Sequence, residues 1–200
     1  MAPDPPRREV RDIKPRCLNL SVWHHCPPDV AFLSVTDPPL AEGRYHRKGG
    51  PPVWYGSSHE RGAWAELLRH RLDPVDALHE RRRIGKARVA ELLVIDLTDV
   101  GVRDALGVKE ADLKSDDYAA CQRIAEEARV AGLDGIVAPS AAMKGEHTLI
   151  VFRSGIKKLT EEHSRVQHPP VSMLDMLVRI LLPKRARNAL SKLRRRYRRR

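Results

Sequence analysis

The chain has 200 residues, 42% of them hydrophobic, enough for one domain with a buried core and an appendage. Its formal net charge is +11, but residues 184–200 hold ten Lys or Arg and no acid, and the remainder carries 27 basic against 26 acidic residues. The basicity therefore belongs to a tail, which argues against nucleic acid as the main ligand of the body.

No membrane span is expected. The apolar stretch Val171–Leu182 is broken by Ser172, Asp175 and Arg179, and it is shorter than the roughly 20 residues a spanning helix needs. No apolar signal-peptide core follows the proline-rich start, so the chain reads as cytoplasmic. Cys17, Cys26 and Cys121 are an odd number at spacings that form no disulfide framework. His24, His25 and Cys26 are adjacent, which is poor geometry for a shared metal, and no metal is expected.

Residues 1–16, rich in proline and charge, read as a flexible N-terminal arm. The compact domain is expected over residues 17–158. Val53-Trp54-Tyr55 lies between Pro52 and Gly56 and reads as a short strand. Ser57 precedes Glu60 by three residues, the spacing of a capping box, so a helix should run from about Ser58 to Leu72. Its apolar positions Ala63, Trp64, Leu67 and Leu68 give it one buried face. Residues 87–97 contain Val89, Leu92, Leu93, Val94 and Ile95 and read as a core strand. Asp116 and Asp117 open a helix that continues through Ala131 and stops at Gly132. Gly135–Ala138 and Thr148–Phe152 are two further strands, joined by a loop with Lys144, Gly145 and Glu146. Residues 159–170, polar and ending in two prolines, read as a linker, and residues 171–200 as a helical, basic extension. The fold class is α/β in the broad sense, more closely α+β: a compact mixed sheet with flanking helices.

Glu66 lines up with Ala63, Leu67 and His70 at helical spacing, beside the buried stripe. A carboxylate there is costly unless it is paired or used. A structural pairing with Arg69 or His70 is the plainer reading of this residue taken alone. The preceding segment holds Gly43, Arg44, Tyr45 and His46, then Gly49 and Gly50. Arginine offers a planar fork for phosphate, and glycine lets backbone approach a ligand. Tyr55 ends a strand leading into the helix and could stack on a base. Ser140 follows a strand and Pro139, outside any nucleophile-elbow pattern, and on its own reads as a turn serine.

Together these pieces resemble the RES domain family, over roughly residues 40 to 155. The resemblance is carried by Gly43-Arg44-Tyr45, Val53-Trp54-Tyr55-Gly56-Ser57, Ala63 with Glu66, Val94–Asp99, Gly132–Ser140 and Leu149–Phe152. It implies a fold akin to the ADP-ribosyltransferase toxins and NAD as substrate. The family arginine falls on Arg44, the tyrosine on Tyr55, the glutamate on Glu66 and the serine on Ser140. Arg44, Glu66 and Ser140 are then the expected catalytic set, and Arg44, Tyr45, His46, Tyr55 and Ser57 the expected NAD contacts. Two positions depart from the family pattern. His46 stands where asparagine is common, and Val22-Trp23-His24 stands where an arginine is expected on the first strand.

The implied function is the toxin of a toxin–antitoxin pair that cleaves the nicotinamide–ribose bond of NAD by hydrolysis or phosphorolysis. Transfer of ADP-ribose to a cellular protein is the alternative the family also implies. The implied partner is an antitoxin with a helix-turn-helix-like region. In the extension, Ala186, Leu190, Leu193 and Tyr197 share one helical face among arginines. That face could serve a second copy of the chain, nucleic acid or an anionic surface, and binding through the tail is a further alternative function.

Overall fold

The computed structural model describes residues 7–69, 79–170 and Met173. Six strands form one mixed sheet among them: β1 (Arg16–Cys26), β2 (Val53–Ser57), β3 (Arg82–Asp96), β4 (Gly135–Pro139), β5 (His147–Phe152) and β6 (Leu159–Gln167). Among the described residues four α-helices flank it: α1 (Glu60–Arg69), α2 (Val100–Ala105), α3 (Glu110–Lys114) and α4 (Ala119–Val130). The α+β architecture expected from the sequence is the one observed.

Strand β3 organises the sheet. One edge pairs antiparallel with β1 from Arg16↔Val94 to Cys26↔Arg83. The other edge is shared. Its first half pairs antiparallel with β6, and Val94–Asp96 pair parallel with β4. From β4 the sheet continues antiparallel through β5 to β2. Strand β2 then meets β1 again at Trp23↔Ser57. The strands thus close on themselves, with a long ladder at β1–β3, broken by one register shift between Leu18 and Leu20, and a narrow seam at β1–β2.

Alternation sorts the side chains of the sheet between two apolar clusters. Leu18, Val22, Trp54, Val94, Leu149 and Val151 pack inside the curled sheet. Ile95, Leu97, Ile136 and Ile150 pack outward against Ile124, Ala125 and Ala128 of α4. A third cluster joins Ala63, Trp64, Leu67 and Leu68 of α1 to Ile84 and Met173. Asp99 caps α2, accepting from the amides of Gly101 at 2.7 Å and Val102 at 3.4 Å. The turn after α4 requires Gly132, whose φ of +74° is costly for any residue with a Cβ.

Several elements differ from the sequence expectation. Residues 7–16 are not a loose arm: Val10 is 1% exposed within the α4 cluster, and the Arg8 amide donates to the Ala105 carbonyl at 2.8 Å. Residues 159–167 are not a linker but strand β6, so the domain does not end at residue 158. Strand β3 begins five residues earlier than expected, because Arg82, Arg83 and Lys86 mask its first half in a pattern of charge. The capping box does not form. Ser57 belongs to β2, and the Glu60 carboxylate receives Arg165 instead. The helix expected from Val171, the basic face beyond it, and the residues expected to carry α1 past Arg69 lie outside the described residues, Met173 excepted.

Because β6 covers half an edge of β3, a chain ending at Lys158 should lose cooperative thermal unfolding and express mainly as insoluble protein. A chain ending at residue 170 should keep the ladder. Equal melting behaviour of the two would restore the linker reading.

Candidate active site

A cavity of about 330 Å3 opens beside the β1–β2 seam. Its walls come from β1, β2, the loop before β2, α1 and the ends of β4 and β5. Of the expected residues, Arg44, Tyr45, His46, Tyr55, Ser57 and Glu66 line it. Ser140 lies behind the wall, between Pro139 and Ala141, and is 4% exposed.

Glu66 sits on the face of α1 that turns to the sheet, one turn after Ala63. Its Oε1 accepts from the Ser140 hydroxyl at 3.2 Å and, more weakly, from Thr148 at 3.5 Å. Ser140 also accepts from the amides of Ala142 at 3.2 Å and Met143 at 3.1 Å. One hydroxyl thus both shapes the turn after β4 and donates to the Glu66 carboxylate. Ser140 is a positioning residue, since it meets the cavity through Glu66. The structural pairing of Glu66 with Arg69 is not seen, and His70, the other partner expected, lies outside the described residues. Arg69 binds the Ala141 carbonyl at 3.1 Å and Asp116 at 2.7 Å.

The segment 42–46 is held from outside by α4. The Gln122 carboxamide donates to Glu42 at 2.8 Å and to the carbonyls of Gly43 and His46 at 3.1 and 3.2 Å. Arg129 donates to the Tyr45 carbonyl at 3.0 Å. A Cβ at Gly43 would fall 2.0 Å from the His46 ring, so glycine leaves room for that ring where it meets Tyr55. Within this loop Arg44 is only partly available to a ligand. Its Nη1 donates to the carbonyls of Leu113 and Ser115, and its guanidinium lies 4.8 Å from the centre of the Tyr118 ring. Its Nη2 is buried with no hydrogen-bond partner among the described residues, a costly state for a charged donor and one that a ligand acceptor would relieve. Tyr45 is 2% exposed and contributes to the core more than to the cavity. Burial pushes its phenol well above the usual tyrosine range.

Tyr55 links the two sides of the site. Its hydroxyl accepts from the Tyr45 amide at 3.3 Å and meets His46 Nδ1 at 3.1 Å. Burial raises its pKa too, so the phenol stays protonated. Burial also lowers the pKa of His46, which favours the neutral ring. Ser57 is buried on β2, with its Cα directly opposite Thr148.

The first strand contributes more than the sequence indicated. Trp23, His24 and His25 all line the cavity, where an arginine was expected. His24 Nδ1 meets the Tyr55 carbonyl at 2.7 Å and must be the protonated nitrogen there, since a carbonyl only accepts. The ring lies 4.5 Å from Trp54 and 5.2 Å from Phe32. This apolar enclosure drives the His24 pKa down to about 4, with Arg82 adding to the shift. Thr148, Gln122 and Arg129 also went unnoticed in the sequence. A buried glutamine on an otherwise apolar helix face was the one available signal.

The described residues thus form an α+β domain that encloses a small-ligand cavity around one carboxylate. The family model described as the RES domain matches residues 21–173, and the chain belongs to that family. The chain is 46% identical over 163 residues to a Mycobacterium tuberculosis (strain ATCC 25618 / H37Rv) protein named "Probable NAD(+) phosphorylase Rv3189". That match covers 81% of this chain and 78% of the relative. The fold resembles a chain in the crystal structure of the M. tuberculosis MbcT–MbcA toxin–antitoxin complex, with a TM-score of 0.68 and 21% identity over 78% of this chain and 87% of that one. The matched span includes β6, consistent with that strand belonging to the domain.

His24 gives the stability a predictable pH dependence. Its folded pKa of about 4 lies below the ordinary 6.5, so the unfolded chain takes up the proton first as pH falls. The contribution of the neutral ring is complete above pH 6.5 and is lost on the way down to pH 4. Between pH 7 and pH 5 this amounts to about 2 kcal/mol. His24→Gln, which can still donate to the Tyr55 carbonyl, should flatten that part of the urea-unfolding profile. An unchanged slope would show that other groups cause it.

Proposed function

We propose that this chain is the toxin of a toxin–antitoxin pair and cleaves the nicotinamide–ribose bond of NAD. The carrying observation is Glu66, held by Ser140 and Thr148 at the wall of a cavity that Tyr55 and Arg44 also line. The relative's name, which specifies NAD(+) phosphorylase, supports the substrate. Membership in the RES family supports the reaction class.

In the reaction, the C–N bond breaks and nicotinamide leaves with the electron pair as a neutral molecule. Positive charge develops on the ribose. A fixed carboxylate stabilises that oxocarbenium-like state or holds a ribose hydroxyl, as in other glycosidic cleavages. Arg44 Nη2 supplies a donor for the pyrophosphate. Tyr55 and His46 shape the nicotinamide side as neutral groups and add no charge to compete with Glu66. The acceptor that completes the reaction is water, phosphate or a protein nucleophile. The relative's name favours phosphate, which would give ADP-ribose 1″-phosphate.

The similarity to a chain in a toxin–antitoxin complex supports an antitoxin as partner. Among the described residues no helix is long and apolar enough to cross a membrane. We place the activity in the cytoplasm, where NAD is available and an antitoxin from the same cell could restrain it.

Purified protein should consume NAD, and Glu66→Gln should slow this by about a hundredfold or more while leaving the melting temperature nearly unchanged. Products separated with and without inorganic phosphate name the acceptor. Wild-type consumption by the Glu66→Gln protein would remove Glu66 from the mechanism, and intact NAD with wild-type protein would remove the activity.

A further inference from the structure

One cross-strand row runs from beside the carboxylate through the cavity-lining Thr148, Ser57 and Trp23 and reaches Lys86 just beyond the lining. Thr148 on β5 stands opposite Ser57 on β2, Ser57 opposite Trp23 on β1, and Trp23 opposite Lys86 on β3. Residues directly opposite share a face of the sheet, so the side chains of this row point the same way. Three inter-strand steps of roughly 4.8 Å separate Lys86 from Thr148, which binds Glu66, so along the curled sheet the two lie at most about 14 Å apart. That is a span suited to an extended dinucleotide with its scissile bond at Glu66.

The far end of the row is basic and aromatic. The Lys86 ammonium lies 5.4 Å from the centre of the Trp23 ring, and Trp23 lines the cavity. His163, opposite Lys86 on β6, meets the other side of Trp23 edge-on at 5.7 Å. Arg165 also approaches Trp23, at 6.0 Å, but its charge is engaged by Glu60 at 2.8 Å. Among the described residues Lys86 has no carboxylate within ion-pair distance. Among the described residues it is a partly buried cation that faces an aromatic ring and no carboxylate, at the end of a row that begins beside Glu66.

We propose that Lys86, reached past the cavity-lining Trp23 ring, is a phosphate-binding subsite at the rim of this cavity. It takes a phosphate group through charge-assisted hydrogen bonds, while Trp23 offers an apolar face to the adjoining sugar or base. The phosphate belongs to the dinucleotide's own pyrophosphate, to the 2′-phosphate of NADP, or to free inorganic phosphate entering as acceptor. The inference rests on the proposed NAD cleavage for its ligand, but its test does not depend on turnover.

Binding of NAD, NADP and inorganic phosphate would be measured by calorimetry in a Glu66→Gln background, with and without Lys86→Ala. KM and kcat would be followed in parallel with native Glu66. Lys86→Ala should weaken binding of at least one of the three by about tenfold and raise the matching KM, with kcat within about twofold. Loss confined to inorganic phosphate marks an acceptor site, loss for NADP beyond that for NAD marks the 2′-phosphate, and equal loss for both dinucleotides marks the pyrophosphate. Lys86→Arg should retain affinity. Unchanged binding of all three, or equal loss with Arg and Ala, overturns the proposal whether or not NAD is cleaved. Lys86-dependent binding without turnover keeps the subsite and removes the cleavage reading.

Discussion

The carboxamide of Gln122 is the fastening on which the ligand-facing half of the cavity depends. Residues 42–46 have little ladder of their own beyond the Gly43–His46 bridge. Their remaining polar groups need partners, because buried amides and carbonyls left unpaired would cost more than the loop gains by packing. Gln122 satisfies Glu42, Gly43 and His46 at once, and Arg129, about two turns further along α4, satisfies Tyr45. The helix that fills the outer core thus also sets where Arg44, His46 and, through its hydroxyl, Tyr55 stand. Core packing and site geometry are one construction here.

The opposite half is fastened by hydroxyls. Ser140 and Thr148 come from the facing ends of two adjacent strands, β4 and β5, and converge on one oxygen of Glu66. These two donors are neutral and hold the carboxylate without cancelling its charge, as Arg69 would have done. The direction taken by Arg69, toward Ala141 and Asp116, is therefore as informative as the contacts Glu66 makes.

Much of this was legible in the sequence where local pattern and tertiary role agree. The apolar face of α1, the strand Gly135–Pro139 and the stop at Gly132 follow from periodicity and backbone preference, and the ordered pieces from Gly43 to Ser140 carried the family. What was hidden involved long-range pairing. Strand β6 reads as polar linker because its side chains are mostly exposed; its reason to be extended lies in β3, far away in the chain. The Ser57–Glu60 spacing suggested a cap, but tertiary pairing with β5 drew Ser57 into β2. Val10 looked like part of a charged arm because nothing nearby in sequence reveals the apolar gap it fills. His24 and Trp23 were invisible as site residues for the same reason: facing the cavity depends on how β1 meets β2.

That meeting is narrow, a single backbone pairing at Trp23 and Ser57, in contrast to the long ladder between β1 and β3. Around it the walls are tied by side chains: His24 to the Tyr55 carbonyl, and Tyr55 to His46. Hydrogen bonds of the main chain resist substitution, because every residue type offers the same groups; side-chain ties change with the residue. The barrel is therefore conservative along β3 and permissive at its seam. Exchanges at positions 23–25 and 55 could retune which ligand is held without redrawing the sheet, so the selectivity of such a domain can drift while its architecture stays put.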